Sequence, residues 1–538
     1  MRLLIAIAIL ITSIMPARAA DDAAFTAVLS KLPEASYAEK SDLIKQLVEI
    51  HRAGTKELLN AFLEGRLYVR DSDKKIFIVE SSDDAFKLTD AVTNQTAGTV
   101  SQDGFSKIGV NNQLRRVLRA ALAQFDLASP DRDARLAAVK EMQRSMDADT
   151  TAALRDRLAK ELDSAIKKEI ANAVALADLS SDDAKVRLQA VTTLHGSLNP
   201  DVYNRLQGLL EKSPEGEYVE PDEAVRTAAA AAITRIDRWR QIYSAIETLL
   251  FGLSLGSVLV LAGIGLAITF GVMGVINMAH GELMMLGAYT TYVMQLLMPH
   301  YIGASIIVAI PAAFLVSGLM GVLIERGIVR FLYGRPLETL LATFGVSLIL
   351  QQLVRDVFSP NNRPVETPQW MAGSLQFNEA LSITYIRLYI IIFTLAVFAV
   401  LLLTLKHTRL GLEVRAVSQN RNMAKAMGIR TEWVDALTFG LGSGIAGVAG
   451  VALSQLTNVG PNLGQSYIVD SFMVVVFGGV GNLWGTQIGG ASLGIINKLL
   501  EPYSGAVLAK IFVLIFLILF IQRRPRGLFP QKGRAAEG

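Results

Sequence analysis

The stretch GVMGVINMAHGELMMLGAY, Gly271 to Tyr289, decides how the chain is read. A hydrophobic run is interrupted there by Asn277, His280 and Glu282, with Gly271, Gly274, Gly281 and Gly287 spaced around them. A charge at the centre of a membrane helix costs about 2.5–3.5 kcal/mol, so such residues usually face a protein interior or a water-filled path. The pattern therefore favours transport. On a continuous helix Asn277 and His280 would share a face, and Glu282 would point away from both. Hydrogen bonding that pins a tight turn between two spans explains the trio as well as substrate contact does. As a metal site it is poor, because no second histidine lies nearby and H-x-E lacks the P-C-x2-C partner of the zinc deaminases.

Outward from this stretch, the composition changes. The 538 residues exceed one domain, and 51% hydrophobic residues with a mean hydropathy of +0.37 are too apolar for a soluble protein. Charges are dense before about residue 245 and sparse after it, which predicts a soluble module followed by a membrane module. With 52 basic against 49 acidic residues the net charge is only +3, which gives no reason to expect nucleic acid. There is no cysteine, so neither a disulfide framework nor a thiolate metal site can form.

Residues 1–20 carry Arg2, the apolar run LLIAIAILITSIM, Pro16, and Ala17 and Ala19 in an A-x-A arrangement. This reads as a signal peptide, with an uncleaved anchor as the rival, and either would export the domain behind it. Residues 21–240 are expected to form a mainly helical periplasmic domain. Within it LYVR and KIFIVE flank the turn-like DSDK, predicting a small hairpin or meander between Leu67 and Val110. Beyond that, Asp131-x3-Arg135-Leu136-x2-Val139-x2-Met142 returns as Asp183-x3-Arg187-Leu188-x2-Val191-x2-Leu194, and more weakly from Asp222 through Arg226 to Ile233. An Asp at a helix start, an Arg one turn on and an apolar stripe suggest HEAT-like stacked helices.

Residues 245–530 read as an all-α polytopic membrane domain of about nine spans, near 248–270, 273–297, 303–325, 338–357, 384–405, 433–456, 467–480, 484–500 and 506–522. An odd number of spans after an exported domain puts the tail, 531–538, in the cytoplasm. The loops then placed inside hold Arg326, Arg330 and Arg335, then Lys406, Arg409, Arg415, Arg421, Lys425 and Arg430, while the outer loops are nearly free of Lys and Arg. That is the positive-inside pattern. Arg235, Arg238 and Arg240 stand against it, but a long exported domain translocates largely regardless of such charges.

Two further segments join the opening stretch. The longest polar interruption on the inner side is GLEVRAVSQNRNMAKAMGIRTEW, Gly411 to Trp433, helical in composition with a stop at Gly428. Near the C-terminus TNVGPNLGQSYIVDSFMVVVFGGVGNLWGTQIGG, Thr457 to Gly490, carries Gly460, Pro461, Gly464, Phe472, Gly478, Gly479, Gly481 and Gly485. Asp470 is an unusual acid in that apolar context, either facing a path or capping a helix at the interface.

The N-x-A-H-G segment from Asn277 to Gly281 resembles the signature of the permease subunits of branched-chain amino acid type ABC importers, and Thr457–Gly490 resembles that family's P-x-L-G and G-G-x-G elements. The resemblance covers about residues 245–530. It implies that Arg415, Ala416, Asn420, Arg421, Ala424 and Gly428 lie in a coupling loop that docks on an ATPase. The general importer motif E-A-A-x3-G is not matched strictly, because Arg415-Ala416-Val417 stands where E-A-A would. The resemblance also implies partners: two ABC ATPase subunits, a second related permease, a periplasmic solute-binding protein and the lipid of a bacterial inner membrane. ATP hydrolysis belongs to those partners, since no G-x4-G-K-[ST] phosphate loop occurs in the sequence, and no cofactor is implied. An N-terminal extension with a G-R-L-Y-V segment, Gly65 to Val69, resembles the urea-transport permeases within the family. The expectation is thus an importer permease for urea and short amides, with Asn277, His280, Glu282 and Asp470 as candidates for the substrate path. A branched-chain amino acid permease and a membrane sensor with a ligand-binding periplasmic domain are the alternatives.

Overall fold

A computed structural model describes residues 22–529 apart from 51, 53, 83, 84, 145 and 215. The expected signal peptide and the tail lie outside the described residues. The chain divides into two compact units between Arg238 and Trp239.

The first unit opens with helix α1 (22–29), α2 (Tyr37–Glu49) and α3 (Thr55–Leu63). Ser36 starts α2 with a capping box, accepting from the Glu39 N–H while Glu39 Oε2 accepts from the Ser36 N–H at 2.7 Å. Five antiparallel strands come next: β1 (Leu67–Arg70), β2 (Ile76–Ser82), β3 (Ala85–Asp90), β4 (Thr96–Val100) and β5 (Phe105–Lys107), in spatial order β4-β3-β2-β1-β5. LYVR and the IFIVE part of KIFIVE do pair as a hairpin, Leu67 opposite Ile78 and Val69 opposite Ile76, and the sheet extends beyond that hairpin on both sides. Leu67, Val69 and Ile76 are buried against α1–α3 and α4 (Asn112–Asp126), which closes this core.

The chain continues through α5 (Arg132–Met142), α6 (Ala148–Lys160), α7 (Ser164–Asp178), α8 (Ala184–Leu194), α9 (Pro200–Leu209) and the start of α10 (Glu223–Met273). The Asp-x3-Arg repeat is a recurring latch. Asp131, Asp183 and Asp222 cap α5, α8 and α10 through their carboxylates. Each Arg one turn later folds back to donate to the two carbonyls just before the cap: Arg135 to Ser129 and Pro130, Arg187 to Ser181 and Asp182, Arg226 to Glu220 and Pro221. Arg135 and Arg187 also reach a buried carboxylate, Glu161 at 3.2 Å and Glu220 at 2.7 Å. The hydrogen bond from Arg187 holds the Glu220 carboxyl below its usual range.

The second unit is a bundle of α10 (from Trp239), α11 (His280–Leu297), α12 (Ile302–Gly327), α13 (Pro336–Phe358), α14 (Tyr385–His407), α15 (Arg409–Gln419), α16 (Arg421–Ala426), α17 (Thr431–Ser454), α18 (Leu463–Gly478) and α19 (Leu483–Arg523). A hairpin, β6 (Ser374–Asn378) with β7 (Leu381–Thr384), decorates the link between α13 and α14. Among the described residues six helices are long and apolar enough to cross a membrane: α10, α12, α13, α14, α17 and α19. The segments near 273–297 and 467–480 become the shorter α11 and α18, of 18 and 16 residues. The last two expected spans form one element broken at Gly505, whose φ of 77° and ψ of 163° no helix holds. The first expected span is the end of a 51-residue helix, because no Gly or Pro interrupts the alanine-rich sequence between Glu223 and Gly252.

Helix contacts in this unit run through glycine. A Cβ at Gly287 of α11 would land on the Gly447 carbonyl of α17, and one at Gly450 on the Met284 carbonyl. Lipid tails are as apolar as leucine, so membrane helices associate by close backbone approach, which only small residues allow.

Candidate functional site

Helix α10 ends at Met273, and Gly274 turns the chain with a φ of +68°. Residues 274–279 are not helical. His280 Nε2 lies 2.8 Å from the Ala262 carbonyl, so the chain has doubled back beside α10 to a level roughly 16 Å above its end. A carbonyl only accepts, hence Nε2 carries the hydrogen, and Nδ1 is left without a partner. Gly265 makes the room, because a Cβ there would sit 2.8 Å from His280 Cε1.

The expected helix face shared by Asn277 and His280 therefore does not exist, since Asn277 precedes the helix. Its Oδ1 accepts from the Ala279 N–H at 3.0 Å. From the facing helix Thr343 Oγ1 accepts from the Met278 N–H at 3.1 Å. Irregular backbone at membrane depth persists only where protein groups satisfy it, and these two side chains do so here. Of the two reasons offered for polar residues in Gly271–Tyr289, turn-pinning describes the contacts of Asn277 and His280. His280 and Asn277 pin the turn.

Glu282 is different. It is 1% exposed, in the first turn of α11. Its Oε1 accepts from Ser347 Oγ at 3.0 Å and from Gln351 Nε2 at 2.7 Å, while Oε2 has no partner. Ser347 and Gln351 belong to a stripe on α13, Thr339, Thr343, Ser347, Gln351 and Arg355, with one polar residue every fourth position. That spacing places all five on one face. The first four are buried, and the half-buried Arg355 ends the stripe with a 2.9 Å hydrogen bond to Asn462 Oδ1. The opposite face of α13 exposes Leu337, Leu341, Leu348, Ile349 and Leu353. The result is a polar stripe along α13 that meets the 274–279 link at Thr343 and forms a polar seam with α11 at Ser347, Gln351 and Glu282. Sequence reading missed it, although the fourfold spacing of polar residues inside an apolar span was there to be counted.

Asp470 lies outside this seam. It sits within α18, buried, and pairs with Lys510 at 3.0 Å. Among the described residues no group of three His, Cys, Asp or Glu side chains is placed to hold a metal.

The proposed coupling segment is two helices rather than one. Asn420, at φ −153° and ψ 99°, breaks it and caps α16 by accepting from the Met423 N–H at 3.0 Å. Gly428, at φ +85°, stops α16 in a Schellman motif, with Ile429 N–H on the Ala424 carbonyl and Gly428 N–H on the Lys425 carbonyl, both at 3.1 Å. Ala424 is buried with Val414, Val417 and Val434, and Ala416 packs on the same cluster. Arg421 is turned inward, paired with the buried Asp435 of α17 and stacked 3.9 Å above the Tyr333 ring. Arg415 is exposed but donates to the Leu405 carbonyl. The exposed residues of the segment include Leu412, Met423, Lys425 and Met427.

Comparison with known proteins places this bundle. The family described as the branched-chain amino acid transport system permease component matches residues 248–521. The high-affinity branched-chain amino acid transport system permease protein BraD of Pseudomonas aeruginosa is 30% identical over 298 residues, covering 54% of this chain and 96% of the relative. LivH of Salmonella typhimurium, of the same description, is 32% identical over 294 residues, 53% of this chain and 94% of the relative. The ribose import permease protein RbsC of Escherichia coli matches a shorter stretch, 31% identical over 101 residues, 18% of this chain and 32% of the relative. No solved structure matches. With the family match spanning half the chain and BraD and LivH aligned over nearly their whole length, the chain belongs to the LivH-type family of ABC importer permeases.

Proposed function

We propose that this permease carries urea and short amides inward, as the membrane subunit of an importer powered by two ATPase subunits and fed by a periplasmic solute-binding protein, with a second, related permease completing the pore. The observation that carries the reading is the chemistry of the seam. Its buried side chains are neutral hydrogen-bonding groups around one carboxylate, and among the described residues no Lys or Arg is buried in the second unit. A small neutral solute rich in donors and acceptors fits such a surface, whereas a zwitterionic amino acid also brings a carboxylate that needs a donor or cation. A second point of support is the first unit, which lies outside the 248–521 match that carries the family likeness. The names of BraD and LivH favour the other reading, branched-chain amino acids.

In this proposal α15 and α16 form the surface on which an ATPase docks, and their outward Leu412, Met423, Lys425 and Met427 supply the contact. The first unit stands in the periplasm and the segment after α19 ends in the cytoplasm. The ends of α12 and α17 support that orientation, since Arg330 and Arg326 gather on Glu432 at the same end as the α15–α16 segment. Uptake of labelled urea and labelled leucine, in cells with and without this chain, tests the substrate. The expected outcome is loss of high-affinity urea uptake with leucine uptake retained. The reverse outcome assigns the chain to amino acids.

A further inference from the structure

Of the interfaces that α11 makes with α12, α13 and α17, that with α13 is the lightest, and side-chain hydrogen bonds join it. Against α17 it packs backbone on backbone at Gly287 and Gly447, and against α12 Ser317 Oγ binds the Leu283 carbonyl at 2.9 Å. Its packing on both is broad. Toward α13 the packing is light, and the joining groups are the hydroxyl of Ser347 and the amide of Gln351 on Glu282. Separation of α13 from α11 would break these hydrogen bonds and the contact of Phe358 with Tyr289 and Tyr292. Separation of α11 from α17 would open a backbone contact. Of these interfaces the seam therefore has the least packing to lose on opening.

Within it, one acceptor lacks a partner that its burial demands. Ser347 and Gln351 both donate to Oε1, which fixes the carboxylate in one rotamer and leaves Oε2 bare at a fully buried position. A buried acceptor without a donor is costly, and such groups are retained where a partner comes and goes. The one cation of the stripe, Arg355, is bonded to Asn462 Oδ1 and makes no hydrogen bond to Oε2, and Thr339, Thr343, Ser347 and Gln351 are neutral. A group that satisfies Oε2 arrives from outside the stripe and carries an N–H or O–H donor, as an amide does.

We propose that Glu282 is the solute-binding acceptor of the seam, its free Oε2 taking an N–H of a small neutral amide when α13 draws away from α11. This rests on the reading of the chain as a urea and amide permease. Ser347 and Gln351 act as positioning residues that aim the carboxylate. Asn277 and His280, engaged with the turn through Oδ1 and Nε2, hold the start of α11 in place.

Glu282→Gln is the discriminating change. Its amide oxygen still accepts from Ser347 and Gln351, so a purely structural role survives, but an NH2 donor replaces the free acceptor and faces the solute with the wrong polarity. In the complete reconstituted complex, with saturating loaded binding protein, E282Q lowers the maximal rate of labelled urea uptake roughly 10- to 100-fold, the range for one hydrogen bond to a charged group. Co-purification with the ATPases, which reports assembly, stays at the wild-type level. A second measurement needs no variant: a hydrophobic carbodiimide modifies Glu282 in the wild-type complex during turnover, and saturating urea suppresses the modification on the peptide that contains it. Wild-type uptake by E282Q, or labelling of Glu282 that urea does not slow, overturns the assignment of Oε2. A wild-type complex that imports leucine and not urea overturns it together with the substrate reading, and the two failures are thereby told apart.

Discussion

Around Arg187 the helices are tied by a side chain that reaches across, and around Gly447 they meet because side chains are missing. The Arg187 guanidinium donates to two carbonyls and both oxygens of Glu220, joining α8 to the start of α10, and the same latch recurs at Arg135 with Glu161. At Gly447 an added Cβ would meet Ala313 and Ser317 of α12, while Gly287 of α11 lies against it from the other side. In the first unit, burial from water drives the helices together and polar latches set their register. In the second, no such drive separates helix from lipid, so backbone proximity does the joining and polar side chains are kept for other tasks. Buried polar residues consequently mean different things in the two units. Glu161 and Glu220 are structural, each with a cation at hand. Glu282 has no ion-pair partner: its Oε1 takes two neutral donors and its Oε2 none, which is the feature behind the proposed solute contact.

The comparison can be broken in three places. Arg187→Leu should have the largest effect, about 3–5 kcal/mol, because it strands Glu220 in the interior without its cation. Hydrogen exchange on the full chain should speed up in α8 and the start of α10 and stay unchanged in α11–α17. Uniform protection would mean the latch sets nothing. Gly287→Ala should destabilise the second unit by about 1–3 kcal/mol through overpacking against Gly447, lowering the melting temperature of the solubilised protein. An unchanged melting temperature would show that α11 and α17 can move apart, which would also remove the reason for singling out the α11–α13 seam. Gly208→Ala should be the smallest change and opposite in sign. Gly208 lies in α9 with nothing within 4 Å of an added Cβ, so alanine should stabilise the first unit by up to about 1 kcal/mol. Destabilisation there would erase the contrast between the units.

Much of the membrane unit was legible because hydropathy is a local property. The spans expected at 303–325, 338–357 and 384–405 are Ile302–Gly327, Pro336–Phe358 and Tyr385–His407. The β1–β2 hairpin and the three capping aspartates were legible for the same reason, since turn and cap chemistry depends on residues a few positions apart. The coupling segment was half legible. Gly428 stops it as expected, but the break at Asn420 rests on a side chain that both ends one helix and caps the next. Arg421, read as part of an outward surface, turns inward because Asp435 and Tyr333 come from segments that only the fold brings beside it.

By itself the sequence determined that this is a helical membrane protein with a mainly helical N-terminal unit, that Gly271–Tyr289 is unusual, and that its polar residues belong in a protein interior or along a water-filled path. Only the tertiary structure decided what meets them. The partners of Glu282 lie 65 and 69 residues away on α13, and the link 274–279 is unwound because Thr343, equally remote, supplies its backbone with an acceptor. Periodicity fixes which residues share a face of one helix. Which faces then meet depends on where glycine lets two backbones touch, and that is a property of the packed bundle.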